Sequence, residues 1–298
     1  MNIPAPLIDA AALGALVVAE SPRTAPTTPT ADVPPTLLDV RWRLGGPHGR
    51  KDYLAGHIPG APFVDLDADV CGPPGGGGRH PLPDLDALQA ALRTAGVTNE
   101  RPVVVYDAGD GMPAARLWWT LRWAGHPDVR VLDGGFVAWQ RAGLPIETGE
   151  RRVPRGDFTV VPGNLPALDA DGAAAYARRG ALFDARTAAR FRGENEPIDP
   201  VAGRIPGAGS LPYADLVRAD GTLLPAEELR KAMTQASVPE SGNVGAYCGS
   251  GVTAAHTVWA MTVAGLESPA LYIGSWSEWI RDPSRPVATG ARVDGEAA

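Results

Sequence analysis

Cys248 closes the short apolar run Val244-Gly245-Ala246-Tyr247 and is followed by Gly249-Ser250-Gly251 and a helix-compatible stretch over residues 253–264. The order is strand, tight turn and helix start, with a thiol at the tip. The first N–H groups of a helix have no intrahelical acceptor, and the helix dipole adds partial positive charge there. A glycine-rich loop lets several N–H groups converge on one point and form an anion-binding nest. The thiolate is the reactive form of cysteine, and such surroundings favour it. A free cysteine is more often a small buried hydrophobe, but three loop-forming residues directly after it are poor core composition. The pattern therefore points to a cysteine nucleophile over an anion cradle. A phosphatase loop on this plan would need arginine six residues after the cysteine; Ala254 stands there, which excludes that chemistry.

The elements that must position this loop occur twice. Leu37-Leu38-Asp39-Val40-Arg41 recurs as Leu182-Phe183-Asp184-Ala185-Arg186, and Ala55-Gly56-His57-Ile58-Pro59-Gly60-Ala61 as Ala202-Gly203-Arg204-Ile205-Pro206-Gly207-Ala208. Val103-Val104-Val105-Tyr106-Asp107 parallels Val244-Gly245-Ala246-Tyr247-Cys248, and Gly135-Phe136-Val137-Ala138-Trp139 parallels Ser275-Trp276-Ser277-Glu278-Trp279. Four landmarks in one order at a nearly constant offset mark a duplication. Within each copy, short apolar runs alternate with helical stretches (residues 103–106, 114–124 and 129–132 in the first), which predicts parallel strands with helical crossovers, an α/β fold. Sites on such sheets lie beyond the carboxyl ends of the strands, where Cys248 falls. The first copy has Asp107 at the matching place, so only the second can do thiol chemistry.

The boundaries read from this pattern are a first domain over residues 1–146, a linker over 147–166 with several prolines and glycines, and a catalytic second domain over 167–298. Residues 21–35, rich in proline and threonine, are expected to form a surface loop. The chain of 298 residues is long enough for two cores. Its net charge of −7 argues against a nucleic-acid or anionic-membrane surface. The two cysteines, Cys71 and Cys248, do not suggest a disulfide scaffold. No lysine or arginine precedes Arg23, and no apolar run reaches membrane-span length, so the expectation is a cytoplasmic protein.

Together, the tandem copy, the Asp-x-Arg after the first strand, the Gly-x-Ile-Pro-Gly-Ala loop and the late cysteine resemble the two-domain rhodanese sulfurtransferases, from about Leu37 to Trp279. The resemblance implies tandem rhodanese-like domains, each a parallel sheet flanked by helices, with no cofactor and no metal. Cys248-Gly249-Ser250-Gly251-Val252-Thr253 looks like the loop of members that act on 3-mercaptopyruvate, whereas members specific for thiosulfate carry an Arg-Lys pair after the cysteine. Cationic side chains favour a compact dianion; Gly249 and Ser250 bring no charge and leave room for an organic donor. The implied reaction passes sulfur from 3-mercaptopyruvate through a Cys248 persulfide, cradled by Gly249, Gly251, Val252 and Thr253, to cyanide or to a thiol such as thioredoxin or a small thiol. The alternatives are a thiosulfate sulfurtransferase and a non-catalytic sulfur-relay module.

Family members use a Ser/His/Asp relay, and the matching positions are Ser250, His80 and Asp67, with Asp65 as an alternative to the last. Arg190 matches a substrate-binding arginine of the family. A second falls in a Glu-Pro-Arg-Asp stretch that reads Glu196-Pro197-Ile198-Asp199 here, so it is missing; Arg204 is the candidate replacement. Arg186, repeated as Arg41 in the copy without the cysteine, is expected to form a structural ion pair. Trp118, Trp119, Trp123, Trp139, Trp259, Trp276 and Trp279 are expected in the core.

Overall fold

The computed structural model describes residues 6–18, 34–46, 49–240 and 242–291. The expected surface loop over residues 21–35 lies almost wholly outside them. The chain divides into two compact units, Met1–Val70 with Asp84–Pro162 and Cys71–Pro83 with Gly163–Ala298.

The first unit holds the parallel strands β1 (Leu7–Ile8), β2 (Thr36–Asp39), β3 (Val103–Tyr106) and β4 (Val129–Leu132), in the order β1-β4-β3-β2. Strands β2 and β3 are buried at every position, the pattern of a parallel sheet covered on both faces. The crossovers include α1 (Ala10–Val18), α2 (Gly49–Ala55), α3 (Leu85–Thr94), α4 (Met112–Trp123) and α5 (Gly135–Arg141). Residues 147–162, read as linker from their prolines and glycines, run along this unit: Glu147 exchanges backbone hydrogen bonds with His57, Val161 N–H bonds Ala124 C=O, and Phe158 is buried.

The second unit repeats the plan with β5 (Ala167–Leu168), β6 (Leu182–Asp184), β7 (Gly209–Ser210), β8 (Gly245–Tyr247) and β9 (Ala270–Tyr272), all parallel, in the order β5-β9-β8-β6-β7. Its helices are α6 (Ala170–Arg178), α7 (Ala188–Phe191), α8 (Ala226–Gln235), α9 (Val252–Val263) and α10 (Ser275–Trp279). The segment Cys71–Pro83, which the sequence reading left inside the first domain, packs here. Gly75 and Gly78 close it into a turn with paired 3.0 Å hydrogen bonds. Gly78 has φ +96°, and a β-carbon there would meet Gly274 O at 2.7 Å and Ser277 Oγ at 2.8 Å, so glycine is what lets the segment lie against the chain before and within α10.

The duplication extends to individual bonds. Arg41 forks onto Asp39 and donates from Nη2 to Gly56 O at 2.6 Å; Arg186 forks onto Asp184 and donates from Nη2 to Gly203 O at 2.7 Å. Tyr106 Oη accepts from Ile58 N–H at 3.1 Å, and Tyr247 Oη from Ile205 N–H at 3.2 Å. The seven tryptophans named above are all buried. Among the described residues, no helix is long and apolar enough to cross a membrane, and no cluster of three His, Cys, Asp or Glu side chains could hold a metal.

Candidate active site

Cys248 follows β8 directly and is 2% exposed. The loop turns back at Gly251, whose φ of +80° places it in the left-handed region that glycine enters without steric cost. That turn aims Gly251 N–H at Cys248 Sγ, 3.1 Å away. The loop is anchored from α10: Cys248 N–H donates to Ser275 Oγ at 3.1 Å, Trp276 N–H to Cys248 O at 2.9 Å and Ser277 N–H to Gly249 O at 2.9 Å. Ser275 holds a φ of +54°, a strained value for a residue with a side chain, while its hydroxyl bridges Tyr272 O and Cys248 N–H.

The first unit explains what the loop is for. Gly111, which matches Gly251, also has a left-handed φ (+73°), and its N–H donates to Asp107 Oδ1 at 3.2 Å. Gly109 N–H adds a bond to the same oxygen at 2.8 Å, and Ala114 N–H reaches Oδ2 at 3.1 Å. A left-handed glycine just before the helix thus points its N–H at a carboxylate in one repeat and at a sulfur in the other, although the first turn is one residue longer. Burial and the charge of Asp110, against those three N–H bonds, push the Asp107 carboxyl up to about 7.

His80 and Ser250 meet in the second unit, Nδ1 to Oγ at 2.8 Å, both buried. His80 is therefore not a solvated loop histidine. Asp67 belongs to the first unit, in a π-helical turn over Leu66–Val70, and accepts a 2.8 Å hydrogen bond from Trp42 Nε1. Asp65 caps the same turn, accepting from the N–H groups of Asp67 and Ala68.

Arg190 sits beside the loop. Its Nε and Nη2 bond Glu196, and Nη2 also reaches Asp199 Oδ2 at 3.0 Å. Burial alone would raise the Glu196 carboxyl, but hydrogen bonds from Arg190 and from backbone N–H groups carry it below the usual range. Arg186 is structural, as expected: it pairs with Asp184 and Glu196 and stacks over Trp276 at 4.9 Å. Arg204 does not replace the arginine missing at Ile198. It is fully buried, donates to Gly290 O at 2.7 Å and lies over the Phe191 ring at 4.7 Å.

The sequence reading missed Arg79. Its guanidinium bonds Asp199, and its N–H donates to Ser277 Oγ at 3.0 Å. A β-carbon on Gly249 would meet Arg79 Nη2 at 2.8 Å and Arg190 Nη2 at 3.4 Å, so both guanidinium groups lie over the residue after Cys248. The only hint in the sequence was its place next to His80.

Two stretches of the chain, residues 28–142 and 168–282, match the rhodanese-like domain family. A Pseudomonas aeruginosa protein provisionally named 3-mercaptopyruvate sulfurtransferase is 48% identical over 264 residues, 85% of this chain and 92% of its own. A Mycobacterium tuberculosis protein provisionally named thiosulfate sulfurtransferase SseB is 46% identical over 86% of this chain and 92% of its own, so relatives of similar closeness carry different donor names. The crystal structure of the Escherichia coli 3-mercaptopyruvate sulfurtransferase SseA superposes with a TM-score of 0.76 at 30% identity, covering 92% of this chain and 99% of that one.

Proposed function

The chain belongs to the rhodanese family of sulfurtransferases, and from that premise we propose that it takes sulfur from 3-mercaptopyruvate, releases pyruvate and passes the sulfur to a thiol or cyanide through a Cys248 persulfide. The observation that carries the reading is the pair of equivalent donors: Gly251 N–H to Cys248 Sγ at 3.1 Å and Gly111 N–H to the Asp107 carboxylate at 3.2 Å. A turn whose N–H groups converge on a buried carboxylate oxygen in one repeat supplies the same donors to a thiolate, and then a persulfide, in the other.

In the first half-reaction the Cys248 thiolate attacks the donor's thiol sulfur. The S–S bond forms, the C–S bond breaks, and its electron pair passes to C3 of the donor. The sulfur is oxidised and C3 reduced, leaving a persulfide and the enolate of pyruvate. The enolate needs one proton. Ser250 Oγ, two residues from the nucleophile and 2.8 Å from His80 Nδ1, supplies it, and the imidazole restores it. In the second half-reaction an acceptor thiolate or cyanide attacks the outer sulfur and returns Cys248 as thiolate. A small thiol or thioredoxin fits as acceptor, and transfer to thiols calls for a reducing compartment such as the cytoplasm.

The test is sulfur transfer from 3-mercaptopyruvate and from thiosulfate, side by side, on the wild type and Cys248→Ser. The expected result is a kcat/KM preference for 3-mercaptopyruvate of about tenfold or more, ~1.4 kcal/mol of discrimination, and no transfer in the variant. Equal or reversed preference would assign the chain to thiosulfate. Absence of a persulfide on Cys248 after exposure to either donor would leave only a sulfur-relay or binding role.

A further inference from the structure

We infer that Arg79 is a donor-binding residue and that, with Arg190, it forms a two-arginine clamp for the carboxylate of the sulfur donor; the inference rests on the function proposed above. The site lacks an arginine at Ile198, and Arg204 is engaged with Gly290 and Phe191. The second cation comes instead from the glycine-rich turn before His80. Arg79 Nη2 and Arg190 Nη2 lie 2.8 and 3.4 Å from the point a β-carbon on Gly249 would occupy. Two positive charges therefore converge on the backbone next to the nucleophile.

Two carboxylates hold these like charges together. Asp199 binds Arg79 and, at 3.0 Å, Arg190; Glu196 binds Arg190 through Nε and Nη2. Both acids are nearly inaccessible, with side chains 1% and 3% exposed, while the Arg79 and Arg190 side chains keep 25% and 14% exposure. The acids thus take up the inner edges of the guanidiniums and leave donors over. Arg79 Nε–H is buried and has no hydrogen-bond partner among the described residues. Arg79 Nη2 reaches Asp199 only at 3.5 Å, and Arg190 Nη1 has no acceptor there. Guanidinium donors short of acceptors beside a reactive thiol are what a planar carboxylate would satisfy.

Gly249 completes the argument. Its missing side chain is the space the two guanidiniums occupy, so a loop with a bulky cationic residue at 249 and this placement of Arg79 exclude each other. The cation is delivered from residue 79 rather than residue 249, which frees the loop for an organic donor while keeping the charge needed for its carboxylate.

The test compares wild type, Arg79→Gln and Arg79→Lys with 3-mercaptopyruvate and thiosulfate, together with competitive inhibition by pyruvate. In Arg79→Gln, KM for 3-mercaptopyruvate and the inhibition constant of pyruvate both rise about tenfold or more. The kcat, the rate of persulfide discharge to cyanide and the melting temperature change little. Arg79→Lys recovers part of the loss, because an ammonium supplies charge without the fork. An unchanged KM in Arg79→Gln beside an active wild type would overturn the clamp and leave the proposed function standing. An equal KM rise with thiosulfate, which has no carboxylate, would reduce Arg79 to a general attractor of anions and overturn the carboxylate assignment. A wild type inert toward 3-mercaptopyruvate would overturn both readings together.

Discussion

His80 Nδ1 stands 2.8 Å from Ser250 Oγ, joining the glycine-rich turn of Cys71–Pro83 to the loop after Cys248. If the pair delivers the proton that pyruvate needs, Ser250→Ala and His80→Asn each lower kcat with 3-mercaptopyruvate by about a hundredfold. The double variant falls no further, because residues acting as one unit are not additive. Persulfide discharge to cyanide, which needs no enolate proton, stays close to wild type.

Asp107 makes the first unit's stability depend on pH. Its carboxyl titrates at about 7 in the folded chain, against about 3.8 unfolded, because burial and Asp110 oppose its charge. A raised acid favours folding while protonated, so the contribution is present below about pH 4 and is lost as pH rises through about 7. Asp107→Asn keeps an oxygen for Gly109 and Gly111 N–H, and melting temperatures measured from pH 4 to 7 should decline less steeply in this variant.

His256 gives the second unit the opposite slope. It is buried in α9 between the edges of Tyr213 and Trp259, with ring centroids at 5.6 and 5.2 Å, and burial lowers its pKa to about 4. A depressed base favours folding while neutral, so its contribution is full above about pH 6.5 and is lost as pH falls through about 4. Because α9 begins directly after Gly251, whose N–H reaches Cys248 Sγ, acid should inactivate the enzyme by loosening this helix. His256→Phe should hold its melting temperature further down in pH than wild type.

Arg186 ties Asp184, Glu196 and Gly203 O together in the second unit. Removing it leaves Asp184 and Glu196 buried and short of a partner, with side chains 0% and 3% exposed. Arg186→Ala should cost about 3–5 kcal/mol in denaturant unfolding. Arg186→Lys should recover only part of this, because an ammonium cannot make the two-pronged contact to Asp184 and also reach Gly203 O.

Local patterns in the sequence determined much of this protein. The run Val103–Tyr106 is β3 as read, the helix expected over residues 253–264 is α9 at Val252–Val263, and the Asp-x-Arg repeats are the forked pairs of Asp39 with Arg41 and Asp184 with Arg186. Each depends on residues a few positions apart, where hydrophobic periodicity and turn chemistry act directly. The cysteine loop was readable for the same reason, since strand, glycine turn and helix start follow one another without a break. Only the tertiary structure decided which distant groups face that loop. Nothing local in Gly75–Gly78 announces that the segment leaves the first unit and lays Arg79 and His80 on Gly249 and Ser250, about half the chain away. Nor could a pattern tell Arg204, buried under Phe191, from Arg79, since an arginine's long side chain takes its direction from the packing around it.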